Sequence, residues 1–88
     1  MHKFNSVENF APRTAKEVLA LEITKALNDG DNLPLYIYFA GKYPEQVLRE
    51  ILSAVMEVPE EKIKKSRGAL FNYLLKRYAQ QANDNYRD

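Results

Sequence analysis

An all-α fold is what this 88-residue sequence predicts: a small bundle of four principal helices over about 14–28, 33–41, 44–57 and 66–81, with a short helical turn at 59–64. Apolar residues recur at three- and four-residue spacings in three long stretches, the period of one helix face. Cap-forming residues, prolines and glycines fall at the ends of those stretches, where helices start and stop. No strand-like segment has a second one to pair with.

The first helix carries Ala15, Val18, Leu19, Ile23, Ala26 and Leu27 at helical spacing, and Thr14 with Glu17 three residues later forms a capping box. It runs to about Asn28, where "NDGDN" offers Gly30 as the left-handed residue that ends it. In "LPLYIYFAGKYP" the run Tyr36, Ile37, Tyr38 and Phe39 also suits a strand. A lone strand would have no partner, whereas Asn32 as cap, Pro34 in the first turn and Gly41 just past the end are consistent helix boundaries. Four bulky side chains in a row imply packing on several sides.

Pro44 and Glu45 open the third helix, whose Val47, Leu48, Ile51, Leu52, Val55 and Met56 make a wide apolar stripe with Arg49, Glu50 and Ser53 turned out. It closes near Glu57. Pro59, Glu60 and Glu61 then read as one helical turn that brings Ile63 toward the core. Ser66 caps the last helix, which divides into an apolar side of Leu70, Phe71, Leu74, Leu75 and Tyr78 and an outer side of Ala69, Asn72, Tyr73, Lys76 and Gln80.

Around this single helical domain, 14–82, the sequence predicts a flexible arm at 1–13 and a polar tail at 83–88 that frays. Phe4, Val7 and Phe10 recur every three residues, so the arm either lays an apolar edge on the body or is a frayed terminus.

Composition excludes several function classes. A chain of this length buries only about 60–65% of its unfolded surface, so the core is small. Hydrophobic residues at 45% and charged ones at 28% are a globular mixture, and the net charge of +1 gives no global field toward nucleic acid or lipid. Without cysteine there is no disulfide or thiolate site. "MHKFNSVENFAPR" lacks the apolar core of a signal peptide, and no run reaches a membrane span, so a cytoplasmic protein is expected.

No catalytic constellation assembles, and an enzyme is not expected. The single histidine, His2, sits in the arm without a second ligand or a fixed geometry. The acid pairs Glu60–Glu61 and Asp29–Asp31 stand where caps and first turns ordinarily place carboxylates. Gly30, Gly41 and Gly68 are isolated and build no phosphate loop, and "DGDN" lacks the spacing of a calcium loop. Neither a cofactor, a metal nor a small-molecule substrate is implied.

What remains is a local basic segment. Lys62, Lys64, Lys65, Arg67, Lys76 and Arg77 bring +6 between positions 62 and 77 with no acid among them, against −5 for the rest of the chain. Such an asymmetry suits a face that neutralises phosphates, and the expected partner is nucleic acid. Lys64, Lys65, Ser66, Arg67 and Gly68 cluster where a helix begins, with unpaired backbone N–H groups and no side chain on Gly68 to obstruct an anion. Beyond them Asn72, Tyr73, Lys76, Arg77 and Gln80 would present base- and phosphate-contacting groups, as a recognition helix does. The bland alternative is a solvated helix face on which Gly68 serves close helix packing. A different class of function, protein interaction or homo-oligomerisation, is suggested by the bulky aromatic segment 35–39.

The stretch "YPEQVLREILSAVMEVPEEKIKKSRGALFNYLLKRYA", residues 43–79, resembles the C-terminal helical region of bacterial plasmid and phage replication initiators and primosomal helicase loaders. Gly68, Ala69, Phe71, Leu74, Leu75 and Lys76 carry the likeness, as "G-A-x-F-x-x-L-L-K". Ser66 and Arg67 stand where those proteins often have Asn-Pro. The resemblance implies a non-enzymatic accessory of DNA replication or of a mobile element, binding DNA or replication proteins.

Overall fold

The first and last helices begin at residues, Thr14 and Ser66, whose hydroxyls accept a backbone N–H of the first turn. A computed structural model describes the backbone of residues 10–87 and the side chains of residues 10–82. It contains α1 (Ala15–Ala26), α2 (Leu33–Lys42), α3 (Glu45–Glu57) and α4 (Arg67–Arg87), with 3-10 turns at Gly30–Asn32 and Glu60–Lys62. No strand occurs among the described residues, and segment 35–39 is helical, so the fold is the all-α one expected. His2, Phe4 and Val7, and with them the behaviour of the arm, lie outside the described residues. None of the described helices is long and apolar enough to cross a membrane. The chain divides into two compact units, Met1–Val47 and Leu48–Asp88, with the division falling inside α3.

In the first unit, the Thr14 hydroxyl accepts the Glu17 N–H at 3.1 Å, the N-cap that the sequence predicts. The Glu17 carboxylate reaches one residue further back than a capping box requires and takes the Arg13 N–H at 2.8 Å. Leu19, Ala20, Ile23 and Leu27 are buried, and Thr24 among them satisfies its hydroxyl by donating to the Ala20 carbonyl at 2.7 Å. The end of α1 corrects one expectation: Asn28, with φ 54°, takes the left-handed position, and Gly30 opens the 3-10 turn with no positive φ. Asn28 donates to Lys25 O at 3.1 Å and Asp29 to Thr24 O at 3.0 Å, the paired bonds of a Schellman end. Asparagine tolerates this conformation, so glycine was not needed there.

α2 packs on α1 through Leu33, Tyr36 and Ala40, all buried. The run of bulky residues is therefore enclosed on one face only: Ile37 and Phe39 are half-buried and Tyr38 is 56% exposed, because a helix turns Tyr38 away from the side that Tyr36 and Ala40 share. Edge-to-face contacts at about 6 Å link Phe39 to Tyr36 and to Tyr43. Asn32 holds the cap position but its side chain bonds Asp29 instead of the helix. Gly41 lies inside the last turn, since α2 continues to Lys42.

In the second unit, Leu48 and Val55 of α3 are buried with Ile51 and Leu52 half-buried, while Met56 is 45% exposed and falls outside the expected stripe. Arg49, Glu50 and Ser53 point outward as predicted. The 3-10 turn after Pro59 closes through Lys62 N–H to Pro59 O at 2.9 Å and Ile63 N–H to Glu60 O at 3.0 Å. Phe71 and Leu75 are the buried positions of α4's apolar face, flanked by half-buried Leu70, Leu74 and Tyr78. The helix runs to Arg87, through the stretch expected to fray and past the predicted end at 81. After Gly68 no glycine or proline interrupts it, and Ala79, Gln80, Gln81 and Ala82 are residues that favour helix without needing burial.

Candidate nucleic-acid interface

The basic segment is displayed by the connection between α3 and α4. Ser66 starts α4 as predicted: its hydroxyl accepts the Ala69 N–H at 3.0 Å, and its carbonyl accepts the Leu70 N–H at 3.1 Å. The Ser66 side chain is thus committed to the helix. The preceding Lys62, Lys64 and Lys65 are exposed, and none of their ammonium groups has an ion-pair or hydrogen-bond partner among the described residues.

These lysines rim an open groove of about 510 Å³, whose remaining walls are Ile63, Ser66, Ala69, Leu70 and Tyr73. Five of the residues singled out from the sequence, Lys62, Lys64, Lys65, Ser66 and Tyr73, therefore meet in one concavity. Its apolar floor was not read from the sequence. Ile63 and Leu70 were expected in the core, and both are instead half-buried, at the boundary of the apolar face. A residue on that boundary has the same spacing as a core residue, so periodicity alone does not separate the two.

Tyr73 supplies the groove's aromatic wall and is 55% exposed. Arg77, one turn further on, lies with its guanidinium carbon 5.9 Å from the Tyr73 ring centroid and donates to the hydroxyl at 3.4 Å. Arg77 thus holds the Tyr73 ring, which also lines the groove.

Other predicted residues are spent inside the fold. Arg67 is half-buried and donates from Nη1 to the Val55 carbonyl at 2.7 Å, capping the last turn of α3 with a charged group at the negative end of its dipole. Gly68 is buried, as a glycine that permits close packing would be. The Asn72 amide donates back to the Gly68 carbonyl at 2.9 Å and is half-buried, so it is turned toward its own helix. Lys76 and Gln80 are exposed on α4 but do not line the groove.

The first unit holds a contrasting polar cluster. Tyr36, fully buried, donates its hydroxyl to Asp29 Oδ2 at 2.7 Å, and Asn32 Nδ2 lies 3.1 Å from both Asp29 oxygens. Burial first, then the hydrogen bond to Asp29 and its negative charge, raise the Tyr36 hydroxyl well above its ordinary range. Asp29 is accordingly a structural carboxylate. A second surface depression of about 440 Å³ mixes Lys16, Lys42 and Glu45 with Leu19, Ala40 and Tyr43, without a dominant charge. Among the described residues no group of three or more His, Cys, Asp or Glu could hold a metal. A comparison of this chain with protein-family models, with curated proteins and with solved structures finds no match.

Proposed function

We propose that this chain is a non-enzymatic nucleic-acid-binding module that works through the α3–α4 connection and the outer face of α4. The observation that carries the reading is the groove whose rim is Lys62, Lys64 and Lys65, three exposed ammonium groups with no partner among the described residues. Lysines whose ammonium groups bond nothing among the described residues contribute little to stability, while three of them around one concavity raise the local concentration of phosphate. Lys76 and Arg77 extend the positive field along α4, and Arg67, which caps α3, adds charge without being free to move. The near-neutral total keeps the attraction local. The resemblance of residues 43–79 to replication initiators and helicase loaders directs the reading toward an accessory role in DNA replication or a mobile element.

Fluorescence anisotropy with labelled oligonucleotides at about 50 and 200 mM salt tests this, because each phosphate neutralised by a lysine steepens the loss of affinity with salt. Three engaged lysines give a log–log slope of about −2 to −3. Salt-independent binding, or none, removes the proposal.

A second reading, self-association or a protein partner through segment 35–39, draws on the 56% exposure of Tyr38. Tyr36 is withdrawn from that surface by its burial and its bond to Asp29. Light scattering of the chain and of Tyr38→Ser distinguishes the two.

A further inference from the structure

Resting on the nucleic-acid reading above, we infer that the groove selects single-stranded over double-stranded nucleic acid, by stacking an unpaired base on Tyr73 while Lys62, Lys64 and Lys65 hold the neighbouring phosphates. Two sets of observations lead there.

The first concerns what duplex recognition would require. A helix reading a major groove needs free donors and acceptors on its outer face near its phosphate-binding residues. On α4 the Asn72 amide is bound to the Gly68 carbonyl, and Arg67 is bound to Val55. Ala69 has no polar side-chain atom to offer. Gln80 is exposed but stands outside the groove, about 10 Å along the axis from Tyr73. The amide and guanidinium groups best suited to paired base edges are therefore tied down or remote, which leaves Lys76 as an exposed side chain of α4 near Tyr73 that could reach one.

The second concerns what the groove does offer. Its floor is apolar, with Ile63, Ala69 and Leu70, and its aromatic wall is a half-exposed tyrosine already oriented by Arg77. In a duplex the base faces are stacked on one another and closed to such a wall; in a single strand they are open to it. An aromatic platform beside a lysine rim is the combination by which single strands are held without reading their sequence, since every base has a stacking face and every nucleotide a phosphate. Single-stranded DNA and RNA share that chemistry.

The test uses the full chain with labelled oligo-dT and oligo-U of about 12 nucleotides and a duplex of equal length. Single strands are expected to bind more tightly than duplex at matched salt. Tyr73→Ala should weaken single-strand binding between about 5- and 150-fold, the range for loss of one stacked base, and weaken duplex binding by less. Tyr73→Phe keeps the ring and should keep most of the affinity. Because Tyr73 is half-exposed, both variants are expected to fold, and far-UV circular dichroism checks it. A preference for oligo-dT or oligo-U identifies the source, and equal binding of both supports stacking without sugar recognition. Duplex bound as tightly as single strand, or Tyr73→Ala binding as tightly as the parent, overturns the inference while the lysine-based reading survives. Absence of binding to all three probes overturns both.

Discussion

Two connections in this protein are built from similar parts and end in opposite electrostatic states. Residues 27–32 join α1 to α2 and residues 58–66 join α3 to α4, each through one 3-10 turn and each rich in charge. In the first, the Asp29 carboxylate is held by the Tyr36 hydroxyl and the Asn32 amide. In the second, the ammonium groups of Lys62, Lys64 and Lys65 have no hydrogen-bond or ion-pair partner among the described residues. A charge whose hydrogen bonds are completed by neighbours stabilises the fold; one left in water contributes little and is available to a partner. The contrast separates charge that the fold uses from charge that it leaves exposed in a chain whose total is only +1.

The largest effect is expected where the first connection meets the core. Tyr36→Ala removes a fully buried ring and leaves Asp29 without its hydroxyl donor, at a cost of about 3–5 kcal/mol in urea unfolding. Tyr36→Phe keeps the packing and loses only the bond to the carboxylate, for about 1–3 kcal/mol. A Tyr36→Phe variant as stable as the parent would mean that packing alone matters and that Asp29 is no more structural than the lysines. The raised Tyr36 hydroxyl adds a pH signature. Unfolded, this tyrosine loses its proton near pH 10. Folded, it keeps the proton higher, so its contribution is fully present below about pH 10 and is lost as pH rises toward the folded value. That alkaline decline should be shallower in Tyr36→Phe.

Arg67, the first residue of α4, adjoins the second connection but behaves like the charge of the first. Its bond to the Val55 carbonyl predicts that Arg67→Gln destabilises by about 1.5–3 kcal/mol, as expected for a charged donor, while the salt dependence of nucleic-acid binding changes little. The opposite pattern, unchanged stability with a shallower salt slope, would return Arg67 to the phosphate-binding set and blur the division.

How far the sequence discloses these roles depends on the range over which each is decided. The helices and the caps at Thr14 and Ser66 are local, set by spacing and by side chains a few residues from the groups they satisfy, and they could be read directly. The roles of Arg67 and Tyr36 are set by atoms twelve and seven residues away, and nothing in the spacing of cations distinguishes a capping arginine from a free one. Asn72 was placed correctly on α4 as a helical residue, but its return to the Gly68 carbonyl depends on how deeply that side of the helix is buried. Ile63 and Leu70 show the same limit, because the edge of an apolar stripe becomes groove or core according to what packs beside it. Gly41 was expected to end α2, yet the helix continues through it with negative φ, and a Cβ there would meet nothing within 4 Å. Gly41→Ala should therefore stabilise the protein by about 0.5–1 kcal/mol, measured as a higher urea midpoint. No gain would indicate that the last turn of α2 opens before the rest of its unit.

The smallest expected effect on the fold is the one that defines the comparison most sharply. Lys64→Gln and Lys65→Gln remove charges from exposed side chains without internal partners, so each should change unfolding free energy by no more than about 0.5 kcal/mol. Glu60 and Glu61 stand close in sequence, and if they drew on the lysines electrostatically, the double variant would cost more than this and the loss would shrink in high salt. Against single-stranded probes, each substitution should make the log–log salt slope shallower by about 0.7, the contribution of one phosphate contact. A stability that holds still while the salt slope moves is the behaviour of charge kept for a partner. A slope that holds still while stability falls would place these lysines with Asp29, as groups the fold consumes.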